Sequence, residues 1–173
     1  MAFSLYDATV PAWQQILGSV SGLLDKAQAH CLEQQLAPES IIGARLAKDM
    51  LPFGYQVKAA VGHSIGAIEG VRKGVYSPDR SAWPDSFAGL AGMLSSAVSA
   101  LAALDPAEIN AFEGRDMRFE IGNYKIEFVA ENFLLSFSLP NFYFHATTAY
   151  DILRVQGLAI GKKDFMGRMR TKG

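Results

Sequence analysis

Three histidines, one cysteine and a polar stripe within an apolar segment hold most of the chemistry this sequence offers. At about 100° per residue, Ser138, Asn141, His145 and Thr148 share one helical sector of roughly 80°. A narrow polar stripe on an apolar helix must be hydrogen-bonded, hydrated or occupied. His63 lies on an earlier helical segment, beside its apolar face and close in angle to Gln56. If the two helices are neighbours, His63 and His145 converge, and imidazoles on facing bundle helices can begin a metal site. Asn141, four residues before His145, points the same way. Two histidines and an amide make a poor zinc shell, which normally has three strong protein ligands plus water. Asp49 is a spare carboxylate nearby in sequence. The competing reading is a satisfied core network of His145, Asn141 and Thr148 that fixes helix packing.

Other chemistry is thin. Cys31 stands alone, which excludes an internal disulfide and a cysteine-based zinc site. His30 is its neighbour, but adjacent helix positions diverge, so no Cys–His nucleophile forms. No G-x-S-x-G, P-loop or G-x-G-x-x-G motif is present. The aromatic set Phe142, Tyr143, Phe144 and Tyr150 reads as core before it reads as a ligand cage. The formal net charge is −1, without the basic field of a nucleic-acid binder.

The elements that must position these residues follow from periodicity. The chain has 173 residues, 50% hydrophobic and 19% charged, which suits a single domain over 1–173. A first helix carries Trp13, Ile16, Leu17, Val20, Leu23, Leu24 and Ala27 on one stripe, with Thr9 as its cap and Pro11 in its first turn. A second runs from about Pro52 to Val71, and a third from about Asp85 to Leu104. The period then becomes two. Met117–Ile121 and Tyr124–Phe128 alternate about Gly122-Asn123, which predicts a hairpin with Glu120 opposite Lys125, Arg118 opposite Glu127 and Phe119 opposite Ile126. A fourth helix, from about Ala130 to Gln156, is apolar nearly all round and is kinked by Pro140. It belongs at a bundle centre or in a subunit interface. The result is an all-α four-helix bundle with a β-hairpin inserted between helices three and four.

No apolar run reaches about 18 residues, and Met1–Val10 lacks a basic-then-apolar leader, so the expectation is a cytoplasmic protein with no membrane contact. Residues 161–173 hold five basic side chains against Asp164, which reads as a solvated tail or an anion contact.

Three stretches carry a resemblance: SLYDATVPAW (Ser4–Trp13), ARLAKDMLPFGYQV (Ala44–Val57) and LPNFYFHATTAYDILRVQGLAIGKKDFMG (Leu139–Gly167). The chain resembles an uncharacterised domain-of-unknown-function family of the DinB/YfiT-like superfamily of proposed metalloenzymes. That resemblance implies a four-helix bundle, usually a homodimer. Metal-binding members hold nickel or zinc with one histidine on helix two and a His-x-x-x-His pair on a later helix. The matching positions are His63, Asn141 and His145, so the site is degenerate at Asn141. Some members are thiol transferases or hydrolases in which the metal activates a thiol or water. On that reading His63 and His145 are the ligands and Asn141 a weak ligand or substrate orienter. Ser138 and Thr148 complete the pocket, with Tyr143 and Tyr150 as candidate proton donors. The alternative is a non-catalytic bundle that binds a small molecule or a protein partner. Because GLAIGKKDFMG lies in the matched stretch, residues 161–167 are expected to be packed, with Lys162 and Asp164 paired or docked, and fraying confined to Arg168 onward.

Overall fold

Ser4, not Thr9, starts the first helix in the computed structural model, which describes residues 3–172; Met1, Ala2 and Gly173 lie outside the described residues. Helix α1 (Leu5–Gln34) opens on a reciprocal box: the Asp7 amide donates to Ser4 Oγ at 3.1 Å, and the Ser4 amide to Asp7 Oδ2. Thr9 is fully buried inside the helix and its hydroxyl donates to Leu5 O at 2.7 Å. Pro11 therefore sits in the helix interior and leaves Asp7 O without its usual donor. The predicted apolar stripe from Trp13 to Ala27 is buried throughout.

The segment expected as one second helix is two: α3 (Phe53–Gly62) and α4 (Ile65–Lys73). They part at His63-Ser64, where Ser64 takes φ −118 and ψ −95. Glycines at 62 and 66 weaken the helix on both sides of the break. Hydroxyls satisfy the freed carbonyls: Ser64 Oγ donates to Ala60 O and Val61 O, and Ser138 Oγ to His63 O at 2.9 Å. The short helices α2 (Pro38–Ile42) and α6 (Pro106–Asn110) flank α3–α4 and α5 (Phe87–Ala102) in the chain.

The hairpin has the predicted register. Strands β2 (Asp116–Ile121) and β3 (Tyr124–Val129) place Glu120 against Lys125, Arg118 against Glu127 and Phe119 against Ile126. Gly122, at φ 58, supplies the positive dihedral that the tight turn requires. Glu120 collects both cations: Arg118 hydrogen-bonds it, and Lys125 Nζ lies 3.3 Å away. An unexpected strand, β1 (Val75–Tyr76), pairs in parallel with β2 and makes a three-stranded sheet ordered β1-β2-β3.

The last long helix begins as α7 (Ala130–Asn132), widens into a π-helical stretch over Phe133–Ser138, and continues as α8 (Leu139–Val155). Pro140 explains the widening, because its ring would meet Ser136 O in a regular α-turn. Helical phase slips across this stretch. Buried Phe133 and Leu134 before it, and Phe142, Ala146 and Ala149 after it, then project onto different sectors of an ideal wheel. That slip makes the segment read as apolar all round. In the fold, Tyr143 and Phe144 are exposed at 37% and 55%.

Helix α1 packs on α5 and α8, and α3 packs on the same two, closing a ring of four. The tail docks through α9 (Lys162–Met166), which lies on α1. Gln15 Nε2 donates to Met166 O at 2.8 Å, and Asp164 pairs with Lys26, rather than Lys162, at 2.5 Å. No helix among the described residues is long and apolar enough to cross a membrane.

Candidate functional site

Because α3 and α8 are neighbours, His63 and His145 meet as the sequence predicts. Their ring centres lie 5.7 Å apart, with planes inclined by only 14°. His63 caps the C-terminus of α3 at the helix break, and His145 stands two turns into α8. Gln56 joins them from α3: its oxygen lies 2.7 Å from His145 Nδ1, and its amide nitrogen donates to Leu51 O at 2.7 Å. Aromatic rings enclose the pair. Tyr55 and Phe144 meet the His145 ring edge to face, and Tyr76 and Phe137 flank His63. Burial disfavours a charged imidazole here. It lowers His63 to about 3, with the charge of His145 adding to the effect, and lowers His145 to about 4. Both rings are neutral at pH 7.

The rest of the predicted stripe does other work. Ser138 is spent on the carbonyl of His63, and Asn141 Nδ2 donates to Phe137 O at 2.7 Å, beside the widened turn. Both side chains complete backbone that the helix irregularities leave open. Thr148 and Tyr143 line a separate open groove with Leu46 and Met50, and Tyr150 packs edge to face on Phe165. The structure brings none of these three to the histidines. Asp49 is exposed in the loop before α3.

Residues not anticipated take their place. A cavity of about 40 Å³ beside His63 is lined by Tyr55, Lys58, Gly62, Tyr76, Pro78 and Asp79. It has room for a few waters. Tyr55 was within reach of a helical wheel, since residues eight apart share a face and His63 follows it by eight. Tyr76 arrives on β1, whose pairing leaves no local signal. Lys58 holds the loop after β1 over the cavity: its Nζ donates to Ser81 O at 2.6 Å and lies 3.0 Å from Asp79 Oδ2. Hydrogen bonds from the Ser81 amide, from Lys58 and from the Ser81 hydroxyl hold Asp79 down at about 2. Trp83 completes the cover, edge to face on Tyr55 and against Gly54, where a Cβ would lie 2.5 Å from the indole. Gly62, Tyr76 and Asp79 also line an open groove of about 400 Å³ that extends past Gly66 and Gly70 to Lys73.

One atom of the pair is anomalous. His63 is 8% exposed, and its Nδ1 is sealed with no hydrogen-bond partner among the described residues. A buried polar atom without a partner is costly and calls for a physical reason.

The nickel or zinc implied by the resemblance can be tested against this donor set. Two imidazoles are in place, and Asn141 stands at the position for which the resemblance implies a further histidine. Its amide nitrogen donates to Phe137 O, and its neutral amide oxygen is a weaker ligand than an imidazole. Among the described residues no three His, Cys, Asp or Glu side chains gather into a metal-holding group. The donor set is one strong ligand short of a catalytic zinc shell, so the residues present do not fit it.

Comparison with known proteins agrees with the architecture. Residues 5–166 match a domain of unknown function, DUF1993. Among solved structures, a DinB family member protein from Shewanella denitrificans is similar at a TM-score of 0.81 and 26% identity. The match covers 98% of this chain and 95% of that one. No functionally curated protein matches.

Proposed function

We take as premise that the chain belongs to the domain-of-unknown-function family DUF1993, and propose that it binds a small uncharged organic molecule at the His63–His145 pair. The observation that carries this reading is the pair itself: two neutral imidazoles in one aromatic enclosure, with no third strong metal ligand beside them among the described residues. Small-molecule sites are mostly apolar concavities with a few convergent polar groups. Here Tyr55 and Tyr76 supply the apolar wall, His63 borders the cavity, and His145 stacks on His63 as the second polar group. The cavity seats a single functional group, and the rest of a ligand extends into the groove along Gly66 and Gly70.

The competing reading, a metal-dependent thiol transferase or hydrolase, uses the same imidazoles as nickel or zinc ligands. Two measurements separate them. The first is metal content by mass spectrometry on protein purified without a histidine tag or chelator. The second is the NMR response of the histidine rings to a panel of small neutral amides, alcohols and ketones. The expected result is little bound metal and ring signals of both histidines that shift with panel members. Near-stoichiometric nickel or zinc, lost in His145→Ala, overturns the proposal in favour of the metalloenzyme. Silence of both rings toward the whole panel overturns it as well. The homodimer stays in this reading, with the apolar groove at Leu46, Met50, Tyr143 and Phe144 as its surface. Light scattering at 18.8 kDa, not twice that, would remove the dimer.

A further inference from the structure

The two rings differ in what holds their Nδ1 atoms. Gln56 cannot turn over: its nitrogen donates to Leu51 O, and a carbonyl only accepts, so its own oxygen must face His145. That oxygen also only accepts. His145 Nδ1 therefore carries the proton, and Nε2 is left as a bare lone pair. Nε2 makes no hydrogen bond among the described residues and is not one of the sealed polar atoms, so it remains accessible.

His63 is the reverse case. Its Nδ1 is sealed without a partner, while the ring borders the cavity. A neutral imidazole has one N–H and one lone pair. A proton on the sealed Nδ1 would strand a buried N–H donor, a group rarely left unpaired in native proteins. On Nε2 the same proton reaches the cavity.

We infer that His63 and His145 are held in opposite tautomers. The site then offers a donor, His63 Nε2–H, and an acceptor, His145 Nε2, to an uncharged amide. This inference rests on the reading of the pair as a ligand seat and names the ligand's class. An amide presents an acceptor oxygen and an N–H donor side by side. Rings centred 5.7 Å apart keep the two Nε2 atoms within the combined reach of one small amide and two hydrogen bonds of about 2.9 Å each. A carboxylate lacks the donor that His145 Nε2 takes, and an ammonium lacks the acceptor that His63 takes. Gln56 is the positioning residue, because it sets the tautomer of His145 from outside the seat.

The test uses the full chain labelled with ¹⁵N, its histidine nitrogens read by long-range ¹H–¹⁵N correlation at pH 7.5. The expected pattern is Nδ1–H for His145 and Nε2–H for His63. Nε2–H on His145, or Nδ1–H on His63, overturns the inference whatever the ligand. Gln56→Leu removes the constraint, and His145 should drift toward the Nε2–H form that an unconstrained histidine side chain favours. Gln56→Glu still only accepts and should keep Nδ1–H, which guards against reading a folding defect as a tautomer change. An unchanged His145 pattern in a folded Gln56→Leu variant overturns the role of Gln56. Acetamide and N,N-dimethylacetamide then separate ligand classes. Acetamide should shift the His145 Nε2 signal with at least tenfold tighter affinity than its methylated analogue. Equal affinity overturns the amide assignment. The expected tautomers with silence toward both probes overturn the ligand seat itself, a failure distinct from wrong tautomers.

Discussion

Lowering the pH from 7.5 to 5 should destabilise the fold, and through two side chains. Folding holds His63 at about 3 and His145 at about 4, against about 6.5 for an unfolded histidine. With folded values below the unfolded one, the unfolded chain takes up the protons first. Stability is complete above about pH 6.5 and declines as the pH falls toward 4. At pH 5 each ring lies about 1.5 pH units below its unfolded value, worth about 2 kcal/mol at 1.36 kcal/mol per unit. The pair together gives at most about 4 kcal/mol, because the charge of His145 is part of what lowers His63. With a urea m-value of about 2 kcal/mol/M, the midpoint should fall by 1 to 2 M, as an order of magnitude. The lowered carboxylates, Asp79, Glu108, Glu120 and Asp164, act in a different window. Their contribution is present above about pH 4 and is lost only below it. Urea unfolding followed by tryptophan fluorescence at pH 7.5, 6.5, 5.5 and 5 reads the effect. His145→Gln should keep about half of the slope, and a double variant with His63→Gln almost none. A midpoint constant from pH 7.5 to 5, or a slope that survives in the double variant, would refute buried neutral imidazoles.

Three further outcomes test the scaffold. Gly70→Ala should cost about 1–3 kcal/mol, since its Cβ would lie 2.8 Å from Tyr76 Cβ, whereas Gly18→Ala, with nothing within 4 Å, should gain about 0.5–1 kcal/mol; equal melting temperatures would refute the contrast. Ser138→Ala leaves the carbonyl of His63 unpaired and should cost about 1–3 kcal/mol by chemical denaturation; a neutral result would show that the carbonyl finds another donor. Lys58→Ala should accelerate amide hydrogen exchange at residues 79–83 while leaving α3 protected, and unchanged exchange there would remove the strap assigned to Lys58.

The hairpin register was legible because everything that sets it is local: a Gly-Asn turn, alternating faces and two pairs of opposite charge. The meeting of His63 and His145 was legible because each sits on a strongly periodic helix. What escaped has non-local causes. β1 is two residues long, and its parallel pairing with β2 joins segments about forty residues apart, so Tyr76 could not be placed beside His63. The split between α3 and α4 is satisfied by Ser138, 75 positions away. The polar stripe falls on the last long helix as expected, but its members divide among backbone hydrogen bonding, the imidazole site and, for Thr148, a separate groove. Ser138 and Asn141 serve the irregular turns that Pro140 and the His63-Ser64 break impose. A wheel drawn at constant pitch cannot show that division, because the π-helical stretch changes the pitch within it.

The docking of α9 on α1 has a consequence for the chain during its synthesis. Helix α1 leaves the ribosome well before α9, since the hydrogen bond from Gln15 to Met166 spans 151 positions. At roughly 5–20 residues per second, that side of α1 stays bare for on the order of ten seconds or more. The uncovered strip carries Gln15, Ser19 and Lys26, while the apolar stripe from Trp13 to Ala27 can meet α5 first and α8 later. The order of emergence thus leaves a water-compatible strip waiting longest, while α5 covers part of the apolar stripe earlier.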